Sequence, residues 1–249
     1  MKKAVIIPAR MQATRLPGKP LALLGTKPLI LRVYEQAMKA TGIDEVAVAT
    51  DSCEIMNAVE SAGGQAVLTR SDHASGSDRV AEAAELIGAD LIVNVQGDEP
   101  FINPDDISRL MQYLEQKPDS IVTMDYGLSS LEQYQDPNVV KVVKSEAGRA
   151  LYFSRSAIPY AQDIQNVIGI ARGHVGIYGY HSKTLERLTH APVAVLENLE
   201  RLEQLRAMSL GIPIWVMNSA AAPIGIDTPE DLEEARLRVN KHGERAFPD

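Results

Sequence analysis

Short apolar runs alternating with amphipathic helical stripes constrain this chain more than any other feature. Ala4 to Ile7, Glu45 to Thr50, Gln65 to Thr69 and Leu91 to Val95 are too short for buried helices and read as strands, the first of them ending at Pro8. Between them lie apolar residues at helical spacing. Ile30, Val33, Tyr34 and Ala37 mark a helix over Leu29 to Lys39, and Ile55, Met56 and Val59 follow a cap at Asp51 or Ser52 and precede Gly63 and Gly64. Val80, Ala83, Ala84 and Ile87 mark a third helix. Asn103, Pro104 and Asp106 have the form of a cap for a fourth, which carries Ile107, Leu110, Met111 and Leu114. This alternation predicts an α/β fold with a mostly parallel sheet covered on both faces.

The rhythm changes after about Ser120. Ile121 to Tyr126 reads as a strand, and Val139 to Val143 and Ala150 to Phe153 flank a hairpin loop at Glu146-Ala147-Gly148. Asp163 to Arg172 reads as a flexible excursion, and His174 to Tyr180 as a glycine-interrupted strand near an edge or a ligand. Leu185 and Leu188 mark a short helix. Leu196, Leu199, Leu202 and Leu205 recur every third position and predict one longer helix, before a returning strand at Ile212 to Met217. Thr228, Pro229 and Asp231 repeat the capping pattern, and the polar tail from Asn240 is expected to be loose. The expected organisation is a core over 1–120, a partly antiparallel insertion over 121–220, and a segment over 221–249 that completes the core.

Composition excludes several classes. The apolar run after Lys2 and Lys3 is too short for a signal-peptide core, and nothing approaches a membrane span, so a cytoplasmic protein without membrane insertion is expected. Cys53 is the single cysteine and can form no internal disulfide. A net charge of -8 argues against nucleic-acid binding.

Against that charge, Arg10, Arg15 and Lys19 fall within ten residues, beside Gly18 and stiffened by Pro17 and Pro20. Arginine forks and a mobile lysine suit phosphate oxygens, and a loop leaving the first strand stands where open α/β sheets bind ligands. A polyphosphate-binding loop is the reading preferred over a basic surface turn. It is neither a Walker A loop, since Pro20 follows Lys19, nor a GxGxxG loop. Asp98 ends the fourth strand inside QGDEP, where a carboxylate can hold Mg²⁺ against ligand phosphates. Asp227, in GIDTPEDLE, is either a second such ligand or a helix-dipole partner. His73, Ser75, Gly76, Ser77 and Asp78 could read a base edge or cap the helix, and both remain open. Arg155 suits an anionic acceptor or the surface. Tyr178 and Tyr180 share a strand face and read as packing, while Glu203 and Gln204 lie off the leucine stripe.

The segments IPARMQATRLPGKPL, VATD, TRSDHASGSDR, VNVQGDEP, VVKVV, ALYFSRSAIP, HVGIYGY, LERLEQLR and IDTPEDLE occur in order over nearly the whole length. Together they resemble the 3-deoxy-manno-octulosonate cytidylyltransferases, the CMP-Kdo synthetases of lipopolysaccharide assembly. The resemblance implies a Rossmann-like nucleotide-sugar transferase fold with an inserted lobe for sugar binding and homodimer formation. It also implies Mg²⁺, CTP and an acidic eight-carbon sugar. By motif match, Arg10, Arg15 and Lys19 would hold the triphosphate, with His73, Ser75 and Gly76 at the nucleotide. Asp98 and Asp227 would bind Mg²⁺, and Arg10, Lys19 and Asp98 would be catalytic. Arg79, Gln96, Arg155, His174, Tyr178, Glu203 and Gln204 would line the sugar site.

Three departures stand out: Ser77-Asp78 where the family usually has Thr and Glu, His181 where Arg is common after GIYGY, and Val195-Leu196-Glu197-Asn198 in place of a Pro-Leu-Glu start. The last two resemble members that activate 8-amino-Kdo, with Glu197 or Glu200 expected near an amino group. Alternatives are therefore the same reaction on 8-amino-Kdo or another sugar acid, and, in a different class, a non-catalytic nucleotide-binding scaffold.

Overall fold

The computed structural model describes residues 1–12 and 15–248. It forms two compact units, one of residues 1–112 with 223–249 and the other of residues 113–222. The first begins with β1 (Lys3–Ala9), a hairpin of β2 (Leu23–Leu24) and β3 (Lys27–Pro28), α1 (Leu29–Met38), β4 (Glu45–Thr50) and α2 (Cys53–Ser61). It continues with β5 (Ala66–Leu68), α3 (Gly76–Ile87), β6 (Leu91–Asn94) and the start of α4 (Pro104–Leu114). Four strands stand in the order β5-β4-β1-β6, every ladder parallel. Ala4 to Ile7 have no accessible surface, as expected of a central strand covered on both faces.

β1 runs past the expected stop at Pro8, which pairs with Ala49. The ladder to β6 ends at Ile6 and Asn94, so Pro8 has a partner strand on one side only, and its missing N–H interrupts nothing. The loop after β6 then closes over this strand end. A Cβ on Gly97 would stand 2.8 Å from the Pro8 carbonyl, so only glycine fits that approach without a shift.

The second unit holds β7 (Ile121–Gly127), α5 (Leu131–Gln135), β8 (Lys141–Lys144), β9 (Ala150–Ser154) and β10 (Arg172–His181). α6 (Ser182–Thr189), α7 (Val195–Glu200), α8 (Gln204–Ser209) and β11 (Ile214–Asn218) follow. Its strands run β11-β7-β10-β8-β9; β11 is parallel to β7 and the other ladders are antiparallel. β8 and β9 form the expected hairpin, with Gly148 at φ 86° in the left-handed region. β10 is not an edge here, since β7 and β8 flank it. Gly173, just before the HVGIYGY motif, is fixed by packing: a Cβ there would meet the Tyr126 ring at 2.5 Å.

Two expectations need correction. The leucine stripe is not one helix, because Arg201 takes φ 55° and breaks it into α7 and α8. Leu202 and Leu205 are buried, whereas Leu199 is 73% exposed. The tail is not loose either. The chain returns to the first unit through α9 (Pro229–His242), and a 3-10 turn at Gly243–Ala246 brings Phe247 onto Phe101, ring centroids 5.1 Å apart. Arg32, nearly fully buried, lies over the Phe247 ring and pairs with Glu244 at 2.9 Å. Gln36 and Lys39 donate to the Pro248 carbonyl. Composition hid this because the tail supplies only Phe247 and Glu244, and their partners Phe101 and Arg32 lie far back in the chain. Phe247→Ala should therefore lower stability by about 3 kcal/mol, the usual cost of emptying a buried aromatic site, as read by chemical denaturation. A change within about 0.5 kcal/mol would restore the loose tail.

Candidate active site

In the first unit the loops at the carboxyl ends of β1 and β6 line a cleft of about 370 Å³. After β1 the chain carries Arg10, passes Ala13 and Thr14, which lie outside the described residues, and reaches Arg15. Gly18 adopts φ 70°, reversing the chain into a 3-10 turn whose first residue is Lys19 and whose Pro20 is buried. That turn delivers Lys19 into the cleft.

Lys19 joins the two acids singled out from the sequence. Its Nζ lies 2.7 Å from Asp98 Oδ2 and 3.0 Å from Asp227 Oδ1, and Arg15 reaches Asp227 Oδ2 at 3.0 Å. Burial alone would lower the Lys19 pKa, but the two carboxylates outweigh it and hold the ammonium above its ordinary value. The acids are themselves held: Ile226 N–H donates to the Asp98 carbonyl at 2.9 Å, tying the two loops together. Asp227 is not needed for capping, since Thr228 and Asp231 close the capping box of α9 between themselves. The Asp227 side chain faces Arg15 and Lys19.

Among the described residues, no three His, Cys, Asp or Glu are grouped as a metal cage. Mg²⁺ nevertheless commonly takes one or two carboxylates and completes its shell with water and substrate phosphate. Asp98 and Asp227 already converge on one cation, the Lys19 ammonium, so the donor set fits that mode.

Glu99 is a partner that sequence reasoning missed although it sits inside the motif. Burial first, then the charges of Asp98 and Asp227, push its carboxyl up to about 8, partly offset by Lys19 and a hydrogen bond from the Ile224 backbone. It also stands 3.2 Å from where a Gly225 Cβ would be, which explains the glycine at that point.

His73, Ser75, Gly76, Arg79 and Gln96 line the same cleft. Ser75 caps α3: its hydroxyl accepts from Asp78 N–H at 3.2 Å, and Asp78 accepts from Ser75 N–H at 2.9 Å. The shorter acid therefore still completes the box. His73, in the loop before α3, is pinned through Nε2 by Glu82 on that helix. Arg79 is nearly buried, donating to Thr69 Oγ1 at 2.6 Å and to Asp51 at 3.1 Å. Arg10 is exposed and has no ion-pair partner among the described residues, which leaves its fork available to a ligand.

The other residues that the resemblance assigns to the sugar lie within the second unit. Arg155 follows β9 and spends its donors on carbonyls, Nε to Glu200 at 2.8 Å and Nη1 to Pro137 at 3.0 Å. Its own carbonyl accepts from Lys141, a fully buried ammonium whose other two bonds go to Asp136 and Val139 carbonyls. His174 sits edge-on to Phe153 at 5.0 Å and tilted against Tyr178 at 5.3 Å. Tyr178 stacks on Tyr180, and burial, then the Glu203 charge, holds its hydroxyl protonated well above the usual range. Glu203 and Gln204 begin α8, where Arg206 lies 3.9 Å from Glu203. The residues that marked the amino-sugar branch are otherwise engaged. His181 bonds the Leu114 carbonyl at 3.1 Å, Glu197 is clamped by Arg206 at 2.5 Å, and Glu200 accepts from Ser154 and from Arg155 N–H.

The family model described as Cytidylyltransferase matches residues 4–214. A 3-deoxy-manno-octulosonate cytidylyltransferase of Thermodesulfovibrio yellowstonii is 43% identical, over 95% of this chain and 98% of its own. An 8-amino-3,8-dideoxy-manno-octulosonate cytidylyltransferase of Shewanella frigidimarina is 41% identical, over 96% and 99%. Among solved structures, a CMP:2-keto-3-deoxy-manno-octonic acid synthetase complexed with CTP superposes with a TM-score of 0.91 at 41% identity, covering 97% of this chain and 99% of that one. The α/β architecture with its antiparallel excursion is thus the nucleotide-sugar transferase fold, and the chain belongs to the CMP-Kdo synthetase family of cytidylyltransferases.

Proposed function

We propose that the protein transfers a cytidylyl group from CTP to the anomeric hydroxyl of 3-deoxy-manno-octulosonate. The hydroxyl oxygen attacks the α-phosphorus, the bond to the β-phosphate oxygen breaks, and CMP-Kdo and pyrophosphate leave, the hydroxyl proton passing to solvent. The observation that carries this reading is the cleft in which Arg10, Arg15 and Lys19 surround two converging carboxylates. Such a transfer depends on alignment and charge neutralisation rather than a covalent nucleophile. Cys53, the single thiol, is exposed at the start of α2, outside the cleft lining.

Asp98 and Asp227 are the residues that would hold Mg²⁺, whose bound charge neutralises phosphate oxygens. Arg10 and Arg15 grip phosphate oxygens with their forks, and Lys19 turns from the acids toward the triphosphate as that site fills. His73 and the backbone from Ala74 to Gly76 border the nucleoside. Arg155 takes the acceptor carboxylate, with His174, Tyr178, Glu203 and Gln204 around the sugar.

The unit over 113–222 is the sugar-binding and dimer-forming lobe in this reading. Val193, Val195 and Leu199, exposed at 63%, 78% and 73%, support burial against a second copy. No helix among the described residues is long and apolar enough to cross a membrane, which accords with a cytoplasmic site of action.

Incubated with CTP, Mg²⁺ and Kdo, the protein should release pyrophosphate only when both substrates are present; equal release without sugar acid would refute the transferase reading. Parallel kcat/KM values for Kdo and 8-amino-Kdo decide the acceptor, and Kdo is expected to be preferred because His181 and Glu197 are bound within the protein.

Asp98→Asn and Asp227→Asn keep shape and remove charge. Each should lower kcat by roughly 100-fold or more, with the melting transition little changed, and should weaken Mn²⁺ binding followed by electron paramagnetic resonance. Normal turnover in either variant would remove that residue from the site.

Arg155 donates from Nε, Nη1 and Nη2 to the Glu200, Pro137 and Arg201 carbonyls and keeps one proton on each Nη nitrogen for a carboxylate, whereas a lysine has three protons in all. In Arg155→Lys the acceptor KM should rise about tenfold or more with the CTP KM nearly constant. Equal changes in both would mean that Arg155 does not contact the acceptor.

A further inference from the structure

The ladder between β7 and β10 contains a fault. Val175 pairs with Met124 and the next pair is Tyr178 with Thr123, so one step on β7 spans three on β10, and Gly176 and Ile177 are extra. A bulge of this kind takes carbonyl groups out of the ladder. Thr123 has no accessible surface, and its hydroxyl lies 2.7 Å from the Ile177 carbonyl and 3.2 Å from the Val175 carbonyl. Its third neighbour is His174 Nε2, at 2.9 Å.

Counting protons decides the direction of each bond. A carbonyl oxygen only accepts, and a hydroxyl owns a single proton. That proton goes to the bulge carbonyls, so Thr123 Oγ1 meets His174 as an acceptor, and the imidazole proton sits on Nε2. Burial keeps the ring neutral, its pKa pushed down to about 3, so Nδ1 carries no proton. Nδ1 has no hydrogen-bond partner among the described residues, and the ring is held between Phe153 and Tyr178.

We propose that Thr123 is a positioning residue that locks His174 in the Nε2–H tautomer, so that Nδ1 offers a bare acceptor to a hydroxyl of the acceptor sugar. The sugar half of this inference rests on the functional reading above; the tautomer half does not. The opposite tautomer would present a donor and reverse the hydrogen bond that the sugar has to complete. Neither half is legible in the motif HVGIYGY, since the lock lies on another strand, 51 residues earlier.

The test is nitrogen-15 spectroscopy of histidine-labelled protein, with His174→Gln assigning its signals among the five histidines. Wild type should show a protonated Nε2 and a pyridine-like Nδ1. Thr123→Val keeps the branched shape without the hydroxyl and should give averaged signals from both tautomers, with an acceptor KM about tenfold higher and an unchanged CTP KM. Thr123→Ser should restore both. Kdo added with a non-transferable CTP analogue should move the Nδ1 resonance in wild type. A proton on Nδ1 in wild type, or an unaltered tautomer in Thr123→Val, overturns the lock. An Nδ1 signal unmoved by saturating Kdo, or equal KM losses in the Val and Ser variants, overturns the contact with sugar. Failure of the transferase reading would show separately, as absent pyrophosphate release by wild type.

Discussion

The structure of the first unit turns on one ammonium group between two carboxylates. Asp98 and Asp227 come from loops far apart in the sequence, and nothing in a sheet requires two acids to face each other at its carboxyl end. Unit charges about 4 Å apart interact by roughly 4 kcal/mol at the dielectric typical near a protein surface, so like charges there are not left without a cation. Lys19 meets that need, within hydrogen-bond distance of both acids. Its placement depends in turn on Gly18, whose left-handed conformation turns the chain, and on Pro20, buried beneath the turn.

What supports those acids is mostly backbone. Ile226 fastens the Asp227 loop to Asp98, Gly97 lets the Asp98 loop close on Pro8, and Gly225 leaves room for Glu99. α9 contributes a capping box that needs neither Asp227 nor Lys19, and its far end is fixed by Phe247 against Phe101. The C-terminal segment therefore positions a metal-ligand candidate at one end and is anchored at the other. Separating these jobs between Asp227 and Asp231 lets the first carry charge toward a ligand while the second satisfies the helix.

The parts of this arrangement legible in the sequence were those with a local cause. Apolar runs gave β1, β4 and β6, caps gave α2, α4 and α9, and a cationic loop in an acidic chain pointed to Arg10, Arg15 and Lys19. Long-range causes left no such trace. Pro8 looked like a strand terminator because periodicity cannot say where a neighbouring strand ends. The leucines from Leu196 to Leu205 looked like one helix because spacing does not register the left-handed residue at Arg201. Thr123 escaped notice for the same reason, acting on a histidine 51 residues away, and Glu82, though only nine residues from His73, meets it through a loop path that spacing does not encode.

The two units illustrate opposite uses of buried polarity. In the second, Lys141 is sealed away, burial drawing its pKa down, yet each of its three protons finds a carbonyl, so it serves as a rivet between the Asp136–Val139 loop and the strand end that carries Arg155. Arg155 likewise gives donors to Glu200 and Pro137, and the Thr123 hydroxyl is consumed by the bulge and the His174 ring. A network with its bonds already made has one geometry, and what it leaves over points to the ligand it can accept. In the first unit Arg10 is left exposed and Lys19 is held by groups that a metal can take over. At Lys19 the first unit thus keeps charge that is paired only with other side chains, and the second keeps a fixed set of donors tied to backbone carbonyls.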